Sequence, residues 1–262
     1  MGNGTVKARL LAVLVSVLAV LAGAPVPTAE AAPVPAGHRR IQVVNRLHQT
    51  IWVAATPSAR YPTKRTGWVL KPGRKINIDV HKKWGGRIWG RTGCAFDKKG
   101  LGHCTTGDCG GRFQCRGGGA TPATLAELAL SAWKGMDFYD VSMVDGSNLP
   151  MYININHTKT KDPISAKGVY KGHKTRPVNC PKRMRVKGGA CTTPCAAFGG
   201  DAYCCEGRWS GRDNCKPWKW PVDYTKVFKR AEPYAYSYAY DDSATMPCKG
   251  ACYYRITFGI TP

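Results

Sequence analysis

Gly100-Leu101-Gly102-His103-Cys104-Thr105-Thr106-Gly107-Asp108-Cys109-Gly110-Gly111-Arg112-Phe113-Gln114-Cys115 places three cysteines and five glycines within sixteen residues. It shows neither the period of a strand nor that of a helix. A stretch of this kind has no apolar face to bury and reads as a loop region stapled by disulfides. Cys94 extends it upstream. A second region of the same character runs from Cys180 to Cys215.

The rest of the chain gives these loops a setting. There are 262 residues, enough for one generous domain, and 43% are hydrophobic, enough for a core. That excludes a disordered or collagen-like chain. Lys+Arg 39 against Asp+Glu 16 gives a net charge of +23, so an anionic partner or surface is expected. Twelve cysteines, an even number, point to an oxidising compartment.

Residues 1–31 read as a secretory signal peptide. Lys7 and Arg9 precede the apolar run Leu10 to Ala24, and Ala29-Glu30-Ala31 offers a small-x-small cleavage site. The run is short for a membrane span. Cleavage removes Lys7, Arg9 and Glu30, leaving +22 of the +23 on the mature chain. Ala32 to Gly37 forms a linker, and the mature protein is expected outside the cell.

Strand signals surround the cysteine-rich regions. Ile41 to Asn45 and Thr50 to Ala55 are β-rich and separated by Arg-Leu-His-Gln, which predicts a hairpin. Lys75 to Val80 alternates polar and apolar residues. Arg87 to Arg91 alternates too, with Arg87, Trp89 and Arg91 on one face. Asp137 to Val144, Tyr152 to Ile155 and Tyr253 to Phe258 are further strands. Tyr234, Tyr236, Tyr238 and Tyr240 read as one face of another strand. His157 to Arg176 is a basic exposed loop, and Asn156-His157-Thr158 is a glycosylation sequon. Many short strands between Gly, Pro and Asn turns predict an all-β sandwich or barrel.

Zinc is the alternative use of the cysteines. Cys191-x₃-Cys195 and Cys248-x₃-Cys252 fit its ligand spacing only loosely, and export favours disulfides, so no metal or cofactor is expected. Spacing alone does not pair them.

Taken together, several segments resemble the thaumatin-like proteins, also called osmotin-like or PR-5-type. They are the Gly100–Cys115 stretch, Gly86 to Cys94 before it, Thr124 to Leu128, Asp137 to Met151, Asp201 to Cys205, and Tyr236 to Asp242. The resemblance covers nearly all of 40–262. It implies a flattened β-sandwich of about eleven strands with two disulfide-rich lobes beside it, and a cleft between the sandwich and the larger lobe. The domain then spans 38–262. Its sandwich comes from about 38–91, 128–165 and 233–262, its small lobe from about 92–127, and its larger lobe from about 180–232.

By the same resemblance the cysteines pair as Cys94–Cys104, Cys109–Cys115, Cys180–Cys191, Cys195–Cys204 and Cys205–Cys215. Cys252 lies outside the family pattern and offers Cys248 a local partner. The family's first and last cysteines fall at Leu47 and Gly259, and another at Glu232. The long-range bridges are therefore missing, which predicts a less robust scaffold.

The resemblance also implies an acidic cleft lined by Arg87, Glu127, Asp140, Asp145 and Asp241. Four carboxylates together are a local exception on so basic a chain. Crowded carboxyls keep one proton near neutral pH, as glycoside cleavage requires. Glu127 is taken as the acid and Asp140 or Asp145 as nucleophile or base, with Arg87 and Asp241 contacting substrate. Each also has a plain reading. Glu127 closes a Thr124-x-x-Glu127 capping box, Arg87 is a surface strand arginine, Asp140 and Asp145 flank a turn, and Asp241 ends a loop.

The function implied is that of a secreted antifungal defence protein, a monomer, that binds β-1,3-glucan or another wall polysaccharide. Weak endo-β-1,3-glucanase activity is left open. The alternatives are a non-enzymatic cationic antimicrobial acting on anionic membranes, and an inhibitor of a secreted hydrolase. Trp209, Trp218 and Trp220 among Arg208, Arg212, Lys216 and Lys219 form a basic aromatic patch that reads equally as a contact for a membrane or wall polymer and as a lobe surface with buried indoles. Nucleic acid is not an expected partner of an exported disulfide protein.

Overall fold

Ile41–Asn45 and Thr50–Ala55 do form strands, β1 (His38–Asn45) and β2 (Ile51–Ala55), but they do not pair with each other. The expected hairpin is an arch between two sheets. Asn45 makes it: its buried amide donates to Gln49 O at 2.9 Å and Leu70 O at 2.8 Å, and its Oδ1 accepts from Leu47 N at 2.9 Å. Alternation identifies a strand and one apolar face. It does not name the neighbour, and here two apolar faces meet across the core instead of lying edge to edge.

The computed structural model describes residues 1–2, 33–157, 178–250 and 252–259. The leader from residue 3 onward and the basic stretch 158–176 therefore lie outside the described residues. The chain divides into two units, Met1–Pro33 and Val34–Pro262, and every strand among the described residues belongs to the second. No helix among the described residues is long and apolar enough to cross a membrane.

The remaining strands are β3 (Gly67–Leu70), β4 (Lys75–His81), β5 (Gly85–Arg91), β6 (Ala95–Phe96), β7 (Gly102–His103), β8 (Leu125–Ala129), β9 (Asp137–Ser142), β10 (Met151–His157), β11 (Met246–Cys248) and β12 (Cys252–Phe258). One sheet has the order β10-β12-β1-β4, the other β11-β9-β8-β5-β2-β3. Among the described strands only the β1–β12 pair is parallel, and β6 and β7 form a separate ribbon. Ile41, Val43, Ile78, Val80, Ile153 and Ile256 of the first sheet meet Val53, Ile88, Leu128, Tyr139 and Val141 of the second in one core. The protein is a β-sandwich, and period-2 burial in β4 and β9 is what assigns their inward faces.

The outer face of the six-stranded sheet carries the small lobe. Ala54, Trp89 and Leu125 pack under Cys109, Cys115 and Ala123 as a second apolar cluster. Arg91, on the same face, is fully buried. It donates to the carbonyls of Trp52 (3.2 Å), Arg112 (2.9 Å) and Phe113 (2.8 Å), beneath the rings of Phe96 and Phe113. Burial pulls its pKa down to about 10, so it is charged at neutral pH. The shared face of Arg87, Trp89 and Arg91 is thus split. The lobe covers the last two and leaves Arg87 open.

Three short helices, α1 (Pro194–Phe198), α2 (Asp201–Cys204) and α3 (Thr225–Ala231), build the larger lobe. Thr193 caps α1 by accepting from Ala196 N at 3.0 Å. Phe198, Tyr203, Trp220 and Tyr224 pack as an aromatic cluster, so Trp220 is buried while Trp218 stands 66% exposed. The alternating tyrosines do not form a strand. Residues 233–241 are irregular, joined to β9 through a single bridge between Ser142 and Tyr236. Alternation without a partner edge leaves a polar backbone to turns, here closed by hydrogen bonds around Asp241.

Candidate functional site

Strands β5, β8 and β9 are adjacent, and their register sets Arg87 opposite Glu127 and Glu127 opposite Asp140. Directly opposed side chains on antiparallel strands lie about 5 Å apart at Cβ. One cation and two carboxyls are therefore forced into a row on the outer face. Thr124-x-x-Glu127 caps no helix, because Leu125–Ala129 is a central strand.

Arg87 Nε donates to Glu127 Oε1 at 2.6 Å, and Arg87 Nη1 lies 3.6 Å from Asp145 Oδ2. Asp145 sits in the turn after β9. That turn needs Gly146, whose φ is +85 and whose Cβ would stand 2.5 Å from Cys191 O. Asn148 fastens the same turn, donating to Gly90 O and to Thr106 Oγ1, both at 2.8 Å.

Asp140 is the unusual member. Its Oδ1 is out of solvent with no hydrogen-bond partner among the described residues. Burial, and then the charge of Glu127, push its pKa up to about 8, against a smaller opposing effect of Arg87. At neutral pH most of its population carries the proton. Glu127 is ion-paired with the Arg87 guanidinium, Arg87 being the more exposed of the two.

These three residues line a cleft of about 440 Å³ with Gly85, Phe138 and Tyr236. Sequence reasoning missed Phe138, although it shares the outward parity of Asp140 along β9. It singled out Tyr236 for a strand that does not form. Tyr236 reaches the cleft because its backbone pairs with β9, Tyr236 N donating to Val141 O and Met143 N to Tyr236 O, both at 2.9 Å. Its hydroxyl bonds to Thr245 Oγ1. Burial raises its pKa, and the charges of Asp140, Asp241 and Glu127 act in the same direction.

Asp241, expected to touch substrate, does not line this cleft. It is buried, accepting from Ser237 N (3.1 Å), Ser237 Oγ (2.9 Å) and Ser243 Oγ (2.9 Å), and it pairs with Lys229 Nζ at 2.6 Å. Lys229 also donates to Ala235 O at 2.8 Å. Asp241 therefore ties the segment that carries Tyr236 to α3.

The model of the thaumatin family matches residues 45–260. The chain belongs to the thaumatin family. Pathogenesis-related thaumatin-like protein 3.4 of Cryptomeria japonica is 41% identical over 217 residues, covering 82% of this chain and 79% of that protein. Pathogenesis-related protein 5 of Arabidopsis thaliana is 40% identical over 223 residues, covering 82% and 87%. Among solved structures, a family 64 laminaripentaose-producing β-1,3-glucanase from Paenibacillus barengoltzii, determined with laminarihexaose, aligns with a TM-score of 0.52. It is 13% identical and covers 87% of this chain and 76% of that one, a likeness of fold.

This thaumatin-family chain has no free cysteine. Its bridges are Cys94–Cys104, Cys109–Cys115, Cys180–Cys191, Cys195–Cys204, Cys205–Cys215 and the local Cys248–Cys252. No bridge spans more than 11 residues, so each closes a loop and none ties one end of the domain to the other.

Proposed function

We propose that this member of the thaumatin family is a secreted defence protein whose acidic cleft binds β-1,3-glucan and hydrolyses it slowly. The relatives named as pathogenesis-related support the defence role. A full complement of disulfides fits an oxidising, extracellular setting.

The observation that carries the reading is the Arg87–Glu127–Asp140 row across three neighbouring strands. Glycoside cleavage needs one protonated and one ionised carboxyl. In this row burial keeps the proton on Asp140 while Glu127 accepts from Arg87, the reverse of the roles expected from sequence. Asp140 donates its proton to the leaving oxygen, Glu127 acts on the anomeric side or activates water, and Phe138 and Tyr236 supply apolar contact for sugar rings.

The test measures reducing ends released from soluble β-1,3-glucan by the wild type, Glu127→Gln and Asp140→Asn, with pelleting on insoluble glucan in parallel. Release that both variants lose while binding persists supports hydrolysis. Release should also fall as pH rises through about 8, where Asp140 loses its proton. Binding without release leaves a wall binder. A wild type that neither binds nor cleaves overturns the reading.

A further inference from the structure

A second cavity, of about 550 Å³, opens on the other side of the small lobe. It lies over β2, β3 and β6, and Trp52, Val69, Phe96, Phe113, Asp97 and Lys98 line it. Trp52 and Val69 are register partners on the outer face of their strands, and Val69 is 48% exposed. The floor is thus aromatic and partly open, which suits the apolar faces of a pyranose ring.

One acid and one base, Asp97 and Lys98, line this pocket, where the acidic cleft has two carboxyls to one arginine. Asp97 Oδ1 accepts from Lys99 N and Leu101 N, both at 2.8 Å. Asp108, the other acid of the lobe, accepts from Cys104 N at 3.0 Å and Gly111 N at 2.9 Å. Lys98 and Lys99 are exposed at the turn. Directly behind the floor lies Arg91, fully buried, with its guanidinium 5.3 Å from the Phe96 ring centroid and 5.6 Å from that of Phe113. Its hydrogen bonds go to neutral carbonyls, and no carboxylate among the described residues lies within ion-pair distance of it. The charge of Asp108 reaches it only at longer range, so this buried cation, with no anion in contact, still adds positive potential to the pocket above.

We infer that this pocket binds a carboxylated pyranose, a uronic-acid unit of an acidic polysaccharide, with the ring against Trp52 and Phe96 and the carboxylate toward Lys98. Shape and aromatic lining fit a sugar, and the charge selects an anionic one. The site gives the strongly basic chain a specific anionic ligand and stands independently of glucan binding in the acidic cleft.

Trigalacturonate titrated into the full-length mature protein at low salt, followed by calorimetry and tryptophan fluorescence, tests this. Binding is expected, with a fluorescence change that Trp52→Ala removes. Lys98→Glu, on an exposed turn where folding is safe, is expected to weaken it about tenfold. Lys182→Glu, an equal charge reversal on an exposed lysine elsewhere, should change it less than about twofold. Absence of binding overturns the inference. So does equal weakening by both charge reversals, which means attraction to the overall charge alone. Displacement by laminaritriose overturns it as well, because the ligand then shares the neutral-sugar cleft.

Discussion

Asp137 and Asp140 stand three residues apart on β9, on opposite faces of one strand, and the protein treats them in opposite ways. Asp137 points inward and is 1% exposed. Arg39 Nη1 donates to its Oδ1 at 2.7 Å and Arg39 Nη2 lies 2.6 Å from its Oδ2. Tyr254 Oη donates to Oδ2 at 2.7 Å and Ser131 N to Oδ1 at 2.8 Å. Asp140 points outward, yet one of its oxygens is hidden and unpartnered among the described residues. A carboxylate with every lone pair occupied clamps two sheets. A carboxyl denied partners keeps its proton.

The contrast can be broken most forcefully at Asp137. Asp137→Asn leaves the Arg39 guanidinium facing an amide and should cost about 3–5 kcal/mol, read by denaturant unfolding. A loss below 1 kcal/mol, as for an exposed pair, means the clamp is ornamental. Next comes pH. Asp140 binds its proton more tightly folded than unfolded, so its contribution is full below about pH 4 and is lost as pH rises through about 8. Between those limits wild-type stability should fall relative to Asp140→Asn by roughly 1.4 kcal/mol per pH unit. Parallel stability curves for the two proteins sink that expectation.

Cys252 also belongs to the clamp, since Arg39 Nη2 donates to its carbonyl. Replacing both Cys248 and Cys252 by serine opens a loop with a sequence separation of only 4 and should cost about 2 kcal/mol in thermal unfolding. A loss as large as that of Asp137→Asn would show that the bridge, not the ion pair, holds this corner. The smallest change in stability belongs to Glu127→Gln, at most about 1 kcal/mol, because its pair with Arg87 is half-exposed. That substitution should nevertheless lower the pKa of Asp140, seen by carboxyl NMR titration, because Glu127 adds to its upward shift.

Much of this was legible beforehand. The alternation of Lys75 to Val80 and of Asp137 to Val144 names the strands and their inward faces, and the Gly100–Cys115 pattern names the small lobe. The clamp was legible too but unread: Arg39 shares the parity of Ile41 and Val43, and Asp137 that of Tyr139 and Val141. Charges on two inward parities are a signal that they meet. Partnership was not legible. Nothing local tells β1 that its neighbours are β4 and β12 instead of β2, or tells Asp241 that Lys229 will claim it. Nor does anything local place Tyr236 in the cleft beside Asp140, since its segment, 233–241, meets β9 through a single bridge at Ser142.

The parallel pairing of β1 with β12 has a consequence for how the chain is made. Ile41 aligns with Tyr254 and Asn45 with Phe258, so the earliest strand of the sandwich waits for the latest. Strand β10 waits too, because β12 is what joins it to its sheet. Until β12 has been made, β1 has only β4 to pair with, and the β10-β12 half of that sheet has nothing to join. Closure waits for β12, across a sequence separation that makes it slow. The local disulfides can form on emerging loops long before that moment, so the lobes are finished first and the sandwich last.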